Sequence, residues 1–139
     1  MKENYYKHKV QYYETDQMQI VHHSNYIRWF EEARGDLLEK LGIGYATMEE
    51  KGIIIPVLEA QCQYKVMVKY PDEVYIIPKV VAFNGIKMTV EYEILDVKTE
   101  ELRAIGKSVH CFLNTKYQPM SLKKYHRDLY DILEGLIEK

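Results

Sequence analysis

Cysteine, proline, glycine and tryptophan are all scarce here: 2, 4, 7 and 1 in a chain of 139 residues. Cys62 and Cys111 form no C-x-x-C and sit in apolar, strand-like surroundings, which excludes a disulfide framework. Both are read as buried free thiols in a reducing compartment. No Pro/Gly/Ser-rich linker, repeat or low-complexity stretch divides the chain, so one domain over residues 1–139 is expected. No apolar run approaches the ~18 residues of a membrane span, and MKENYYKHKV lacks the apolar segment of a secretory leader. The expectation is a cytoplasmic protein with no membrane span. An excess of charge is missing too. Lys and Arg number 19 against 21 Asp and Glu, a net charge of -2, so no general grip on nucleic acid is expected. At 47% hydrophobic and 29% charged residues, disorder is excluded and an ordinary soluble core is expected.

Several chemical motifs are absent. There is no G-x-x-x-x-G-K-[ST], and Gly42-Ile43-Gly44 follows a helical stretch and lacks a third glycine, so neither phosphate-binding nor dinucleotide-binding loops are supported. Gly106-Lys107-Ser108-Val109-His110 is one residue short of a G-x-S-x-G elbow and reads as strand. His22 and His23 are adjacent at a helix start, pointing about 100° apart, with no downstream ligands, so no metal is expected.

What is abundant is tyrosine, 13 residues against 3 Phe, a side chain suited to subunit interfaces and ligand clefts. Residues 5–13 read as a strand. From 24 to 41 the period turns helical, with Tyr26, Phe30, Ala33, Leu37 and Leu41 on one stripe, Ser24 as N-cap and Gly42 as stop. Strands are expected over 53–66, Glu73–Phe83, Lys87–Asp96 and 102–113, with turns at Tyr70-Pro71-Asp72, Asn84-Gly85 and Lys98-Thr99-Glu100. Ala104, Gly106 and Ser108 make one strand face small enough for another element to lie close. A closing helix is expected over 121–137. Short connections predict a largely antiparallel sheet on one long helix, an α+β arrangement. The exposed sheet edges and Tyr-rich surface predict self-association.

Asp16 is the main chemical signal, lying in a polar loop seven residues before His23. A helix N-terminus offers unpaired N–H groups that hold a developing oxyanion, and a carboxylate beside it can attack a carbonyl or activate water. An aspartate in a polar loop equally suits a turn that binds its own backbone. On the residues alone both readings stand.

The run Tyr13-Glu14-Thr15-Asp16-Gln17-Met18-Gln19-Ile20-Val21-His22-His23-Ser24-Asn25-Tyr26, continued by Trp29-Phe30-Glu31-Glu32-Ala33-Arg34, resembles the signature of hotdog-fold acyl-CoA thioesterases of the 4-hydroxybenzoyl-CoA thioesterase-like family. Tyr64, the Tyr70-Pro71-Asp72 turn and His110-Cys111-Phe112-Leu113 are similar to its later segments, so the likeness covers about residues 8–115. It implies a hotdog fold: a curved antiparallel sheet wrapped around one central helix, followed by a C-terminal helix. It implies hydrolysis of an acyl-CoA thioester, with Asp16 as nucleophile or general base and the backbone N–H near His23 polarising the carbonyl. His23 takes a supporting role, and Asn25 and Tyr26 are substrate-binding candidates, beside plain roles in capping and packing. Glu31 and Arg34 are explained by an i,i+3 ion pair. The partners implied are acyl-CoA and further copies of the chain, as homodimer or homotetramer, and no cofactor is implied, because the thioester is already activated. Lys65, Lys69, Lys87, Lys107, Lys123 and Lys124 are candidates to meet the CoA phosphates. A hotdog hydratase or dehydratase and a non-catalytic acyl-CoA-binding module are the alternatives. One departure stands out: the family usually has Gly where this chain has Gln19, which bears on the loop carrying Asp16.

Overall fold

The stripe Tyr26, Phe30, Ala33 and Leu37 becomes the buried side of α1 (Ser24–Lys40), widened by Trp29 and Leu38. The computed structural model describes residues 4–137, so the extreme ends of the expected 1–139 domain lie outside the described residues. Gly42, at φ 77°, ends the helix as expected: its N–H donates to the Glu39 carbonyl and that of Ile43 to the Leu38 carbonyl, the paired bonds of a Schellman stop. The start differs from expectation. Ser24 is the first helical residue and His23 the cap, with no capping side chain. The Ser24 hydroxyl is held instead by His22 Nδ1 at 2.9 Å.

Five strands, β1 (Tyr6–Lys9), β2 (Val57–Tyr64), β3 (Glu73–Phe83), β4 (Lys87–Asp96) and β5 (Leu102–Cys111), form one antiparallel sheet in the order β1-β3-β4-β5-β2. Val74, Ile76 and Val80 on β3, Met88, Val90, Tyr92 and Ile94 on β4, and Ala104 on β5 are buried, together with the apolar side of α1. The small face of β5 explains how close the helix comes. A Cβ at Gly106 would collide with the Phe30 ring, which stacks on Tyr92 at 4.3 Å and 12°.

Further boundaries depart from expectation; β2 and β5 end at Tyr64 and Cys111, short of the expected 66 and 113. The first strand stops at Lys9: the Val10 N–H still reaches the Asp72 carbonyl in register, but the Asp72 N–H donates to the Lys69 carbonyl instead of returning the bond, and the chain enters a 3-10 turn, Tyr12–Glu14. The second begins only at Val57, after a short helix α2 (Tyr45–Glu50), which buries Met48 alone and so leaves no periodic trace. The closing helix is two pieces, α3 (Leu122–Tyr125) and α4 (Arg127–Glu134), broken at His126 (φ -142°, ψ 65°). Leu122, Leu129 and Leu133 stay buried across the break, which hides it from the sequence pattern. Strand β2 is exposed along nearly its whole length, including Val57, Leu58 and Tyr64, and leaves one edge of the sheet open. Among the described residues no helix is long and apolar enough to cross a membrane.

Candidate active site

The segment between β1 and α1 closes on itself. Thr15 and Val21 form an isolated antiparallel bridge, the Asp16 N–H donates to the Ile20 carbonyl at 2.9 Å, and the Gln19 N–H donates to the Asp16 carbonyl at 2.9 Å. Asp16 Oδ1 accepts the Met18 N–H at 2.8 Å, an Asx turn, while Oδ2 accepts nothing from the described residues. Gln19 itself adopts the left-handed conformation, φ 66°. The loop therefore has the backbone shape a glycine would favour, taken up by a residue with a side chain.

From Val21 the chain passes directly into α1. The N–H of His22 donates to the Glu14 carbonyl at 2.8 Å, and that of Ser24 to His22 Nδ1 at 3.2 Å. The N–H of His23 donates to no acceptor among the described residues, at the end of the helix where partial positive charge collects. The His23 side chain is exposed, stacks on His22 at 4.2 Å, and meets Tyr64 edge-on at 6.5 Å. Asn25 and Tyr26 are both buried. The amide nitrogen of Asn25 donates to the Glu14 carbonyl at 2.9 Å and the His22 carbonyl at 3.3 Å, which ties the helix start to the loop. Tyr26 packs edge-on against Tyr64 at 4.8 Å, and burial pushes its phenol up to about 12.

Glu14 was not singled out from the sequence, yet its carboxylate is the most densely bonded group beside the loop. It is 5% exposed and accepts from the Gln11 N–H (2.8 Å), His8 Nε2 (2.9 Å) and the Trp29 indole (2.8 Å). Burial raises its pKa, but the Gln11, His8 and Trp29 donors outweigh that and hold it below the ordinary carboxylate value. The signal available in the sequence was an acid two residues before Asp16 with the only Trp at helical spacing beyond.

A second polar centre lies deeper. Arg34 is buried; its Nε donates to Tyr45 Oη (2.8 Å) and its Nη1 to Tyr92 Oη (2.9 Å). The Glu31 carboxylate is 3.8 Å away and exposed, so the expected ion pair is a minor part of what holds Arg34. Tyr92 Oη contacts Ser108 Oγ at 2.6 Å, and Ser108 Oγ contacts His110 Nε2 at 2.7 Å. This serine–histidine contact is fully buried between α1 and the sheet and gives no substrate access. Residues 106–110 are strand, as expected. A trough of about 570 Å³ lies on the opposite sheet face, lined by Gln61, Ile77, Lys79, Glu91, Ile105 and Lys107, and does not include Asp16 or His23. Around the Asp16 loop the surface is open and aromatic: Tyr12, Tyr13 and Met18 are 75%, 83% and 72% exposed. Cys62 and Cys111 are free, as expected, but half-buried where full burial is expected.

Comparison with known proteins fixes the class. The fold matches the DHNA-CoA thioesterase of Staphylococcus aureus with a TM-score of 0.89, 32% identity, and coverage of 94% of this chain and 88% of that one. It matches the gentisyl-coenzyme A thioesterase BH1999 with a TM-score of 0.79, 25% identity, and coverage of 88% and 98%. YneP of Bacillus subtilis (strain 168), named as an acyl-CoA thioesterase, is 33% identical over 127 residues, 91% of each chain. The fold is the hotdog fold and the protein a thioester hydrolase. It belongs to the thioesterase-like superfamily, whose family model matches residues 10–126.

Proposed function

We propose that the protein hydrolyses an acyl-CoA to the free acid and CoA at the junction of the Asp16 loop and the start of α1. The observation that carries this is the unengaged His23 N–H on a helix end joined to that loop by the Thr15–Val21 bridge. In this reading the thioester carbonyl oxygen accepts from the His23 N–H, which stabilises the negative charge gathering there. Asp16, through its free Oδ2, takes a proton from water as the hydroxyl adds to the carbonyl carbon, or adds directly to form a mixed anhydride that water then opens. The thiolate leaves and is protonated to CoA. The His23 ring borders the site, and Asn25 and Tyr26 support it from behind. Two relatives carry names of hydroxylated aromatic acyl-CoAs, which makes that class the first to assay. The free thiols fit a cytoplasmic setting.

Asp16→Asn tests the assignment. With a hydrolysable acyl-CoA, kcat is expected to fall about 10²–10⁴-fold with little change in KM, because the carboxylate acts in the transition state. Release of free thiol is the readout. A folded Asp16→Asn with wild-type kcat would return Asp16 to the role of a turn residue. His23→Ala is expected to cost less, since the backbone donor survives it.

We also infer assembly as a homodimer, or as a tetramer of paired dimers, with the site completed by a second copy. The open β2 edge and the exposed Tyr12, Tyr13 and Met18 around the loop support this. Analytical ultracentrifugation at micromolar concentration is expected to give at least a dimer; a lone 16.6 kDa species would overturn it.

A further inference from the structure

Glu14 bonds to both halves of the proposed site, through different atoms. Its carboxylate is spent inward, on the Gln11 N–H, His8 on β1 and Trp29 on α1. Its backbone carbonyl is spent along the chain, on the His22 N–H at 2.8 Å and the Asn25 amide at 2.9 Å. Residue 14 thus fixes the backbone on both sides of the Thr15–Val21 bridge: two positions before Asp16 and one position before His23. A buried carboxylate with three donors is strongly held, because each bond to an ionised group is worth more than one between neutral groups and leaving any of them unmade inside the protein is costly.

We propose that Glu14 is the positioning residue of this site, keeping the Asp16 carboxylate and the His23 N–H in one fixed register. The proposal rests on the reading of Asp16 given above. It does not ask Glu14 to touch substrate: its side chain faces the core, and His8, Trp29 and Gln11 fill its accepting positions. A reacting group displaced by about 1 Å loses about 10²-fold in rate, so a clamp of this kind is read in kcat.

The single tryptophan of the chain makes the clamp visible. Trp29 is fully buried, donates to Glu14 and lies 4.9 Å from the His8 ring, so its emission reports on the carboxylate. Glu14→Gln keeps the volume and removes the charge. With an acyl-CoA that the wild-type protein hydrolyses, kcat is expected to fall about 10²-fold with KM steady within about two-fold. The Trp29 emission is expected to shift, and Glu14→Gln combined with Asp16→Asn to be no slower than Asp16→Asn alone. Wild-type kcat or unchanged emission in folded Glu14→Gln overturns the proposal. So does a loss that multiplies with that of Asp16→Asn, the mark of independent damage. If Glu14→Gln does not fold, Trp29→Phe decides: removing one donor should lower kcat at constant KM, and wild-type kcat overturns the clamp. A wild-type rate in Asp16→Asn would sink the reading of Asp16 and this inference with it. A wild-type rate in Glu14→Gln beside a crippled Asp16→Asn sinks this inference alone.

Discussion

Two buried polar centres contact α1, and they differ in how completely they are satisfied. Glu14, near the helix start, has three donors on its carboxylate and two more on its carbonyl, and its pKa is held low because its charged form is the one the surroundings bind. The Arg34–Tyr92–Ser108–His110 chain, farther along the helix and under it, spans β4 and β5 and ends on a histidine whose Nδ1 has no hydrogen bond of good geometry among the described residues. There burial first, and the Arg34 charge second, push the His110 pKa down to about 4, because the charged form is the one the surroundings reject. One centre favours its ion and borders an open loop; the other keeps its terminal group neutral and is sealed. The fully bonded carboxylate lies beside the loop that carries the proposed chemistry, and the under-satisfied chain lies buried between α1 and the sheet.

The comparison can be broken most sharply by acid. His110 has a folded-state pKa below its ordinary value of 6.5, so its contribution is whole above about pH 6.5 and is lost as pH falls toward 4. A shift of that size corresponds to roughly 3 kcal/mol of stability. Glu14 and Asp96, whose pKa values are lowered, contribute their own acid sensitivity only below the ordinary carboxylate range, so the interval from 6.5 to 4.5 belongs to His110 among these three. Urea unfolding at stepped pH is expected to show the decline in the wild type and a flatter profile in His110→Gln, which does not titrate. Equal slopes in the two would remove His110 from the account.

Tyr92→Phe sharpens the same contrast with a smaller effect. It deletes one hydroxyl, leaves Arg34 Nη1 without its acceptor and Ser108 without one neighbour, and retains the stack on Phe30. Loss of a buried hydrogen bond to a charged group is worth about 2 kcal/mol. Stability is expected to drop by that amount while kcat on an acyl-CoA stays at the wild-type value. A rate loss as large as that expected of Glu14→Gln would mean that the sealed chain also serves the site.

The legible parts of this molecule are those written in repeated patterns. The bounds of β3 and β4 follow from period-two alternation, and the close approach of Phe30 follows from the small face of β5. The early end of β1 and the burial of Arg34 depend on single bonds made far along the chain: that of the Asp72 N–H to the Lys69 carbonyl, and those of Arg34 to the Tyr45 and Tyr92 hydroxyls. No local pattern encodes a partner 58 residues away, as Tyr92 is from Arg34. The same holds at the site. Asp16 and His23 could be singled out because loop and helix start are local features, whereas Glu14 stands out only once His8 and Trp29 are folded around it.

Gln19 is where sequence and geometry can be set against each other directly. The family resemblance expects glycine there, and the chain keeps the glycine-like backbone, φ 66°, with its N–H still closing the turn onto the Asp16 carbonyl. A residue with a Cβ pays about 1–2 kcal/mol to stand in that region. Glycine removes this strain but loses more chain entropy on folding, an opposing effect of about 0.5–1 kcal/mol. The Gln19 side chain is exposed and makes no hydrogen bond of its own among the described residues, so nothing else is forfeited. Gln19→Gly is therefore expected to raise stability by about 0.5–1 kcal/mol, a Tm increase of roughly 2–4 °C in calorimetry for a domain of this size. Because the backbone of the loop is already in the glycine conformation, kcat should not change. A fall in Tm would show that the loop does not bear the strain its φ implies, and a changed kcat would show that the glutamine side chain itself reaches the bound thioester.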